Sequence, residues 1–278
     1  MVHVARKRFG QHFLVDRAAI ARIIGAIDPA PADCVVEIGP GPGALTAPLL
    51  ERVAQLHVIE IDRDLAAGLR ARYPADRLVV HEGDALNFDF SALPAPLRVV
   101  GNLPYNISTP LLFHLAGFAH RLKDLHFMLQ REVVARMVSA PSCSEYGRLS
   151  VALQYRFAMR SLFRVPAGAF RPAPKVESAV VRMQPLAPSA RISGSARDET
   201  MFAQVLSRAF SHRRKTLRNA LAGLADNEDF AAAAIDPGLR AENLGVAEFV
   251  ALANRLADRL IGHPAASSAG QRSAPDCG

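Results

Sequence analysis

The stretch VVEIGPGPGALT at residues 35–46 determines the fold of the first part of the chain. Its β-branched residues predict a buried strand, the glycines predict a tight turn, and the residues after them predict a helix. Gly39, Gly41 and Gly43 allow positive φ and a close approach of a ligand to the backbone near a helix start. Gly39, Gly41 and Ala44 also match the dinucleotide fingerprint G-x-G-x-x-G/A, so the turn alone leaves two classes of nucleotide cofactor open.

The residues around these glycines favour S-adenosylmethionine over a nicotinamide dinucleotide. Glu37, on the strand just before the turn, can bind the cationic amino-acid end of S-adenosylmethionine, whereas it would face a pyrophosphate unfavourably. Pro40 and Pro42 remove two N–H donors that a pyrophosphate cradle would use. A third feature is the adenine-binding motif described below, which no dehydrogenase needs. We therefore expect Gly39 and Gly41 to bind S-adenosylmethionine.

Residues 33–184 alternate short apolar runs with segments of helical periodicity, a pattern that predicts an α/β domain with a parallel sheet and crossover helices. The predicted strands are Val35–Ile38, Leu56–Ile61, Leu78–His81, Leu97–Val100, Leu125–Leu129, Val151–Phe157 and Ser178–Met183. The predicted helices are Ala44–Arg52, Asp64–Arg72, Thr109–Phe118 and Arg131–Val138.

Four other regions flank this predicted catalytic domain. Residues 1–32 are a basic segment leading into the cofactor site, and residues 185–197 have the Pro, Ser and Ala content of a linker. Residues 198–262 have helical periodicity throughout, which predicts a small all-α domain. Within it, Leu206 to Leu221 predicts an amphipathic helix with its basic residues mostly on one side. Residues 263–278 have the composition of a disordered tail.

Acidic residues lie at the ends of the second and third predicted strands. Glu60 follows Gly39 by 21 residues, where a carboxylate can accept hydrogen bonds from ribose hydroxyls. Asp84 can accept a hydrogen bond from the cofactor adenine, or it can serve only as a turn or N-cap residue. Because ligands of open α/β sheets bind at the carboxyl ends of the strands, the three positions together favour the cofactor role.

The fourth strand leads into Gly101-Asn102-Leu103-Pro104-Tyr105, which predicts the catalytic loop. The exocyclic amine of adenine is a poor nucleophile because its lone pair is delocalised into the ring. The Asn102 oxygen and a neighbouring backbone carbonyl can accept its hydrogens, Pro104 fixes the turn, and Tyr105 offers a flat stacking surface. We expect positioning and electrostatics to dominate catalysis, with the base extruded from any stack.

Phe170, in the proline-rich sequence RVPAGAFRPAPKVESAV at residues 164–180, is a candidate for a second stacking surface. Arg171 and Lys175 stand beside it and could bind phosphate. The spacing alone favours a hydrophobic anchor as the role of Phe170.

The charge distribution indicates a polyanionic partner. The chain has 278 residues and a formal net charge of +7. Basic residues cluster near both ends of the chain, and each cluster could also be a solvated face. Together they predict a bipartite surface for RNA phosphates. The predicted contacts are Arg6, Lys7, Arg8, Arg213, Arg214, Lys215 and Arg218.

Several classes of protein do not fit the sequence. Cys34, Cys143 and Cys277 are far apart and form no CxxC pattern, so we expect neither a disulfide framework nor a metal site. No apolar run approaches the ~20 residues of a membrane span. The basic N-terminus lacks the apolar core of a secretory signal, and we expect a cytoplasmic protein without a membrane partner.

Nine segments of the chain resemble, in order, the bacterial small-subunit ribosomal RNA adenine dimethyltransferases. They are RKRFGQHFL, EIGPGPGALT, VIEIDRDLA, GNLPYNISTP, HFMLQREVVARM, YGRLSV, FRPAPKVESAVVRM, FSHRRKTLRNAL and RAENL. The resemblance implies a Rossmann-like S-adenosylmethionine-dependent methyltransferase sheet with helices on both faces. It also implies a monomer that dimethylates two adjacent adenosines in the 3′-terminal hairpin loop of 16S RNA, late in small-subunit assembly.

The resemblance further implies roles for individual residues. The implied cofactor contacts are His12, Leu14, Gly39, Glu60, Asp84 and Asn102. Tyr105 and Phe170 would sandwich the target base. Position 12 departs from the commonest family pattern, in which Asn follows Gln.

Three alternative functions remain at this stage. A methylase that acts on large-subunit RNA and confers macrolide resistance shares the chemistry, although the FRPAPKVESAV and RAENL segments favour the small-subunit branch. A ribosome-assembly checkpoint could coexist with catalysis. A nicotinamide oxidoreductase would not act on RNA.

Overall fold

The computed structural model describes residues 12–105, 107–187 and 195–262. The predicted RNA contacts Arg6, Lys7 and Arg8 and the predicted tail lie outside the described residues. The chain divides into two compact units, residues 1–192 and 193–278.

The first unit contains nine described strands and six described α-helices. The strands are β1 (Phe13–Leu14), β2 (Cys34–Ile38), β3 (Leu56–Glu60), β4 (Leu78–Glu82), β5 (Leu97–Asn102), β6 (Leu122–Gln130), β7 (Phe157–Val165), β8 (Phe170–Arg171) and β9 (Ser178–Pro185). The helices are α1 (Arg17–Ile27), α2 (Thr46–Leu50), α3 (Arg63–Arg72), α4 (Ser108–Gly117), α5 (Arg131–Val138) and α6 (Arg148–Gln154).

Seven strands form one sheet in the order β4-β3-β2-β5-β6-β9-β7. The five strands from β4 to β6 are parallel, as predicted, whereas β9 and β7 pair antiparallel at one edge. The strand order reverses between β2 and β5, which is where open α/β sheets place their ligand crevice. Gly101 allows these two strands to end side by side, since a Cβ there would lie 2.6 Å from the Ile38 carbonyl oxygen.

Both faces of the sheet are buried. Alternate residues of β2 belong to two separate core clusters, Val35 to one and Val36 to the other. Apolar residues of α1, α2 and α3 pack in the cluster of Val35, and those of α4, α5 and α6 pack in the cluster of Val36. This arrangement confirms the predicted α/β sheet with helices on both faces.

One local prediction for the first unit needs correction. Val151–Phe157 is not a strand, because residues up to Gln154 belong to α6 and the strand begins only at Phe157. Leu149 and Leu153 are four residues apart, which suits a helix, and Ser150 accepts the Gly147 N–H to fix the helix start. The N-terminal segment also contains β1 and α1, the latter capped by Asp16.

The described part of the second unit is helical, as predicted. Its α-helices are α7 (Glu199–Ala209), α8 (Leu217–Ala220), α9 (Asn227–Ala232) and α10 (Val246–Gly262). The predicted continuous helix from Leu206 to Leu221 is wrong, because α7 ends at Ala209 and α8 begins only at Leu217. Leu206, Leu217 and Leu221 are nevertheless all buried. Among the helices within the described ranges, none combines the length and apolar content needed to cross a bilayer.

Arg98 joins the amino-terminal edge of the sheet to the end of α1. Its guanidinium is buried and donates to both carboxylate oxygens of Asp124, at 2.9 and 2.8 Å, and to Asp33 at 2.8 Å. It also donates to the backbone carbonyls of Ile27 and Asp28 at the end of α1. A buried charge with this many partners makes its removal costly, because the partners would remain buried and unpaired.

We expect Arg98→Leu to lower the free energy of unfolding by roughly 3–5 kcal/mol, as for other broken buried ion pairs. Lys123 binds the same Asp33 carboxylate at 2.7 Å from a half-exposed position. Lys123→Met should therefore cost no more than about 1 kcal/mol. Urea unfolding of the two variants checks the prediction, and equal losses would contradict it.

Candidate active site

A cavity opens at the carboxyl ends of β2, β3 and β5, where the strand order reverses. About 1090 Å³ of empty space lies within it, counting the open solvent at its mouth. Ten of the predicted site residues line it: His12, Leu14, Gly39, Gly41, Glu60, Asp84, Asn102, Leu103, Pro104 and Tyr105. Strands far apart in sequence therefore bring the predicted cofactor residues and the predicted catalytic loop to one place.

The glycine turn forms one wall of the cavity. Gly39, Gly41 and Gly43 have φ of 65°, 58° and 96°, values that residues other than glycine rarely adopt. The turn is anchored by the Gly39 N–H, which donates to the Ile59 carbonyl at 2.9 Å. The Phe13 ring lies against it, since a Cβ at Gly41 would be 3.3 Å from that ring.

Glu37 is a buried carboxyl group that lines the cavity. It is 2% exposed, and the Thr46 hydroxyl donates to its Oε2 at 2.6 Å. Burial raises the pKa of Glu37 to about 8, although the bond from Thr46 opposes the shift. Thr46 could not be identified as a partner of Glu37 from the sequence, because it belongs to no recognised binding motif. A cationic ligand group beside Glu37 would restore its charged form.

Glu60 accepts hydrogen bonds from the backbone at the edge of the cavity where it lies. It is 3% exposed and accepts hydrogen bonds from the N–H of Gly41 at 3.0 Å and of Asp62 at 2.9 Å. Burial raises the pKa of Glu60, and these two N–H donors counteract the increase. Each carboxylate oxygen can accept a further bond, so the predicted contact with ribose hydroxyls is compatible with this geometry.

Asp84 has a structural role as well as a place in the cavity. Its Oδ1 accepts from the Leu86 N–H at 2.9 Å, and its carbonyl accepts from the Asn87 N–H at 3.0 Å. The turn role that the sequence left open is therefore present. Because Asp84 also lines the cavity, the two roles do not exclude each other.

The catalytic loop begins at the last residue of β5. The Asn102 Nδ2 donates to the His12 carbonyl at 2.9 Å, which leaves the side-chain oxygen as the free acceptor of that amide. The Leu103 N–H donates to Met128 on β6, and the Pro104 carbonyl accepts from Ile107 and Ser108. The Pro104 carbonyl is therefore already used, whereas the Leu103 carbonyl, which follows Asn102 in the chain, takes part in none of the bonds named here.

Tyr105 is half-buried, and both its hydroxyl and its ring contact neighbouring side chains. Its hydroxyl is 2.9 Å from the Ser178 hydroxyl, and burial raises the pKa of Tyr105. The His12 ring stacks on it with centroids 5.7 Å apart and an interplanar angle of 30°. The Ser178 contact could not be predicted from the sequence, because β9 is distant in the chain.

Phe170 is not among the residues that line the cavity, and its expected role as the second half of a base sandwich stays a prediction. Its ring is 0% exposed and packs in the core with Leu14 and Met128. Its backbone pairs with Leu14 through the short β1–β8 sheet. The hydrophobic anchor that the spacing favoured describes the structure, since this pairing turns the ring inward.

The predicted phosphate contacts in the described ranges are exposed. Arg171 donates to the carbonyls of Gly168 and Phe170, and Lys175 lies on the surface of the same loop. In the second unit, Arg214, Lys215 and Arg218 are exposed, and Arg213 lies 3.4 Å from Glu242. Within the residues that the structure describes, no group of three or more His, Cys, Asp or Glu side chains could hold a metal ion.

A family model described as ribosomal RNA adenine dimethylase matches residues 2–258 of the chain. The chain belongs to this family. A protein named ribosomal RNA small subunit methyltransferase A from Aromatoleum aromaticum is 62% identical over 255 residues, covering 92% of this chain and 95% of that protein. Its namesake from Chromobacterium violaceum is 59% identical over 258 residues, covering 92% and 97%.

Solved structures agree with this ribosomal RNA adenine dimethylase assignment. A dimethyladenosine transferase from Plasmodium falciparum is 26% identical with a TM-score of 0.75, covering 91% of this chain and 98% of that chain. The 23S rRNA methyltransferase ErmE is 25% identical with a TM-score of 0.64, covering 88% and 99%. The predicted family, enzyme class and methyltransferase fold are confirmed, and the nicotinamide oxidoreductase alternative is excluded.

The raised pKa of Glu37 predicts a pH-dependent stability. A folded-state pKa of about 8 against an ordinary value of 4.5 means that stability is lost as pH rises from 4.5 through 8. Glu37→Gln keeps an acceptor for Thr46 and removes this loss. The variant should gain on the wild type between pH 5 and pH 8, by on the order of 1.4 kcal/mol per pH unit. Denaturation at both pH values measures the gain.

Glu51→Gln, at an exposed carboxyl group, is the matched control and should show no such trend. A Glu37→Gln effect of the same size at pH 5 and pH 8 would contradict the assigned pKa shift.

Proposed function

We propose that this enzyme transfers two methyl groups from S-adenosylmethionine to N6 of each of two adjacent adenosines in the 3′-terminal hairpin loop of 16S ribosomal RNA. The observation that carries the proposal is the shared cavity of the glycine turn and the Asn102–Tyr105 loop. A methyl donor and an extruded adenine can meet only where these two elements face the same space.

The cavity residues fit S-adenosylmethionine. The cofactor supplies an activated methyl group on a cationic sulfonium. In this proposal Glu37 binds the ammonium of its amino-acid end, and Glu60 accepts from the ribose hydroxyls. Asp84 accepts from the adenine amine, while Gly39, Gly41 and the backbone of His12 and Leu14 form the walls. The buried carboxyl groups support this assignment, since a cationic ligand would offset the cost of charging them.

Asn102 and Tyr105 position the target amine in this proposal. The free side-chain oxygen of Asn102 and the carbonyl of Leu103 accept the two amine hydrogens, which localises the nitrogen lone pair. Pro104 holds the turn between them, and Tyr105 stacks on the base. Rate enhancement then comes from positioning and from acceptors that are already oriented in the free protein.

The small-subunit substrate is supported by a comparison of sequence identities with named relatives. The relatives named small subunit methyltransferase A are about 60% identical over more than nine-tenths of the chain, whereas the 23S rRNA methyltransferase is 25% identical. We infer a late small-subunit particle as the substrate, with binding as an assembly checkpoint coexisting with catalysis. We also infer a cytoplasmic monomer without membrane or metal partners.

Methyl transfer to undermethylated small subunits tests the catalytic assignment. Asn102→Ala should abolish formation of dimethyladenine because both the amine acceptor and the bond to the His12 carbonyl are lost. Tyr105→Ala should lower kcat/KM by roughly 5- to 150-fold, the loss of one stacking contact of 1–3 kcal/mol. Tyr105→Phe, which keeps the ring, is the matched control and should stay close to wild type. Mass spectrometry of the nucleosides measures the product; wild-type rates for Asn102→Ala and Tyr105→Ala would refute the assignment.

Salt dependence of particle binding tests the RNA surface of the second unit. Replacing Arg213, Arg214 and Lys215 by Gln should weaken binding and flatten the plot of log K against log salt, by roughly 0.7 for each lost phosphate contact. A control with Gln at Arg52, Arg63 and Arg136 removes equal charge from exposed positions outside both basic clusters. If the two triple variants share one slope, these three residues are not in the interface.

A further inference from the structure

The antiparallel edge of the sheet carries two arginines side by side. Arg160 on β7 and Arg182 on β9 are directly paired residues of neighbouring strands, so their side chains project from the same face of the sheet. Like charges in this arrangement repel each other and lower stability. An anion bound beside both side chains would offset that repulsion.

The protein itself supplies little negative charge at this place. Arg160 is exposed and forms no ion pair with a carboxylate of the described residues. Arg182 reaches one carboxylate oxygen, Oδ2 of Asp124, at 3.5 Å, and its Nε has no hydrogen-bond acceptor within the described ranges. Asp124 already accepts two hydrogen bonds from Arg98. The charges of Arg160 and Arg182 are therefore largely uncompensated.

A third cation lies on the same face of the sheet. Phe163 of β7 packs against the same core cluster as α1. The Arg22 guanidinium of α1 lies 4.1 Å from the centroid of the Phe163 ring, a cation–π contact that orients an exposed arginine. The end of α1 and Arg182 also line a common cavity, together with Lys123 and the acidic Asp28. Cations from α1, β7 and β9 thus share one surface.

We propose that Arg22, Arg160 and Arg182 form an accessory surface that binds phosphates of the ribosomal RNA outside the target loop. The proposal rests on the ribosomal RNA substrate proposed above and adds a contact surface separate from the two basic clusters. Guanidinium groups match phosphate oxygens in geometry and stay charged at neutral pH. They also release counterions from the RNA when they bind it.

The position of this surface suits RNA that flanks the target. Arg182 lies four residues along β9 from Ser178, whose hydroxyl contacts Tyr105. Four residues of strand span roughly 13 Å. The surface is therefore too far from the catalytic loop to contact the target base, and it lies within reach of the neighbouring RNA backbone.

Charged residues on an edge strand also discourage pairing with other chains, and β7 is an edge strand. That purpose does not require two arginines opposite each other. Arg164, also exposed on β7, pairs with Ala179 of the other core cluster and therefore faces the opposite side of the sheet. Arg164→Gln is the matched control, since it removes the same charge from the same strand.

The experiment measures binding of undermethylated small subunits over a range of salt concentrations. Arg160→Gln should weaken binding and flatten the slope of log K against log salt by roughly 0.7, the value of one lost phosphate contact. The double variant Arg22→Gln/Arg160→Gln should flatten it by roughly 1.4. Arg164→Gln should keep the wild-type slope. All variants should bind S-adenosylhomocysteine like the wild type, which checks that they are folded.

Two results would overturn the proposal alone, in an enzyme that methylates the particles. One is a common slope for Arg160→Gln and Arg164→Gln. The other is a double variant that loses affinity for the particles but not for protein-free 16S RNA, which would make the partner a protein of the particle. A wild-type enzyme that leaves the particles unmethylated refutes the proposed function together with this inference.

Discussion

The close contact of two strand ends at Gly101 is the constraint on which the site depends. A side chain there would place its first carbon 2.6 Å from the Ile38 carbonyl oxygen, a distance at which β5 could not end beside β2. Ile38 leads directly into the glycine turn, and Gly101 leads directly into Asn102. The absence of one side chain therefore brings the cofactor wall and the catalytic loop to the same edge of the sheet. The strand order also reverses at this point, between β2 and β5.

The site is organised by hydrogen bonds between groups of the protein itself. Thr46 holds Glu37, the Gly41 N–H holds Glu60, and the His12 carbonyl holds the Asn102 amide. Each bond uses one hydrogen-bonding position of a side chain that lines the cavity. The remaining acceptor positions of that side chain can bind a ligand. An enzyme that relies on positioning needs this property, because groups that are already oriented do not reorganise during the reaction. Burial of the two glutamates raises their pKa values, so a cationic ligand beside them would favour their charged forms.

The strands that carry the site could be predicted from the sequence, because their apolar runs end in glycine or in a carboxylate. Glycine allows a tight turn beside a ligand, and a carboxylate can bind polar groups of a cofactor. The prediction failed where pairing over long distances decides the structure. Val151 lies on a helix although its neighbours alternate as in a strand. The buried position of Phe170, which pairs with β1, agrees with the hydrophobic anchor that its spacing favoured. The antiparallel edge formed by β9 and β7 was also missed, since a strand pattern does not specify direction. In the second unit, Leu206 and Leu217 are both buried, as the predicted amphipathic helix requires, although no continuous helix joins them.

The most direct test of this account is a crystal structure of the enzyme with S-adenosylmethionine bound. We expect the methyl group to point into the space between Asn102 and Tyr105, with the amino-acid end of the cofactor beside Glu37. A cofactor seated over the glycine turn with its methyl group directed away from residues 102–105 would contradict the account, because no extruded adenine held by that loop could then receive it.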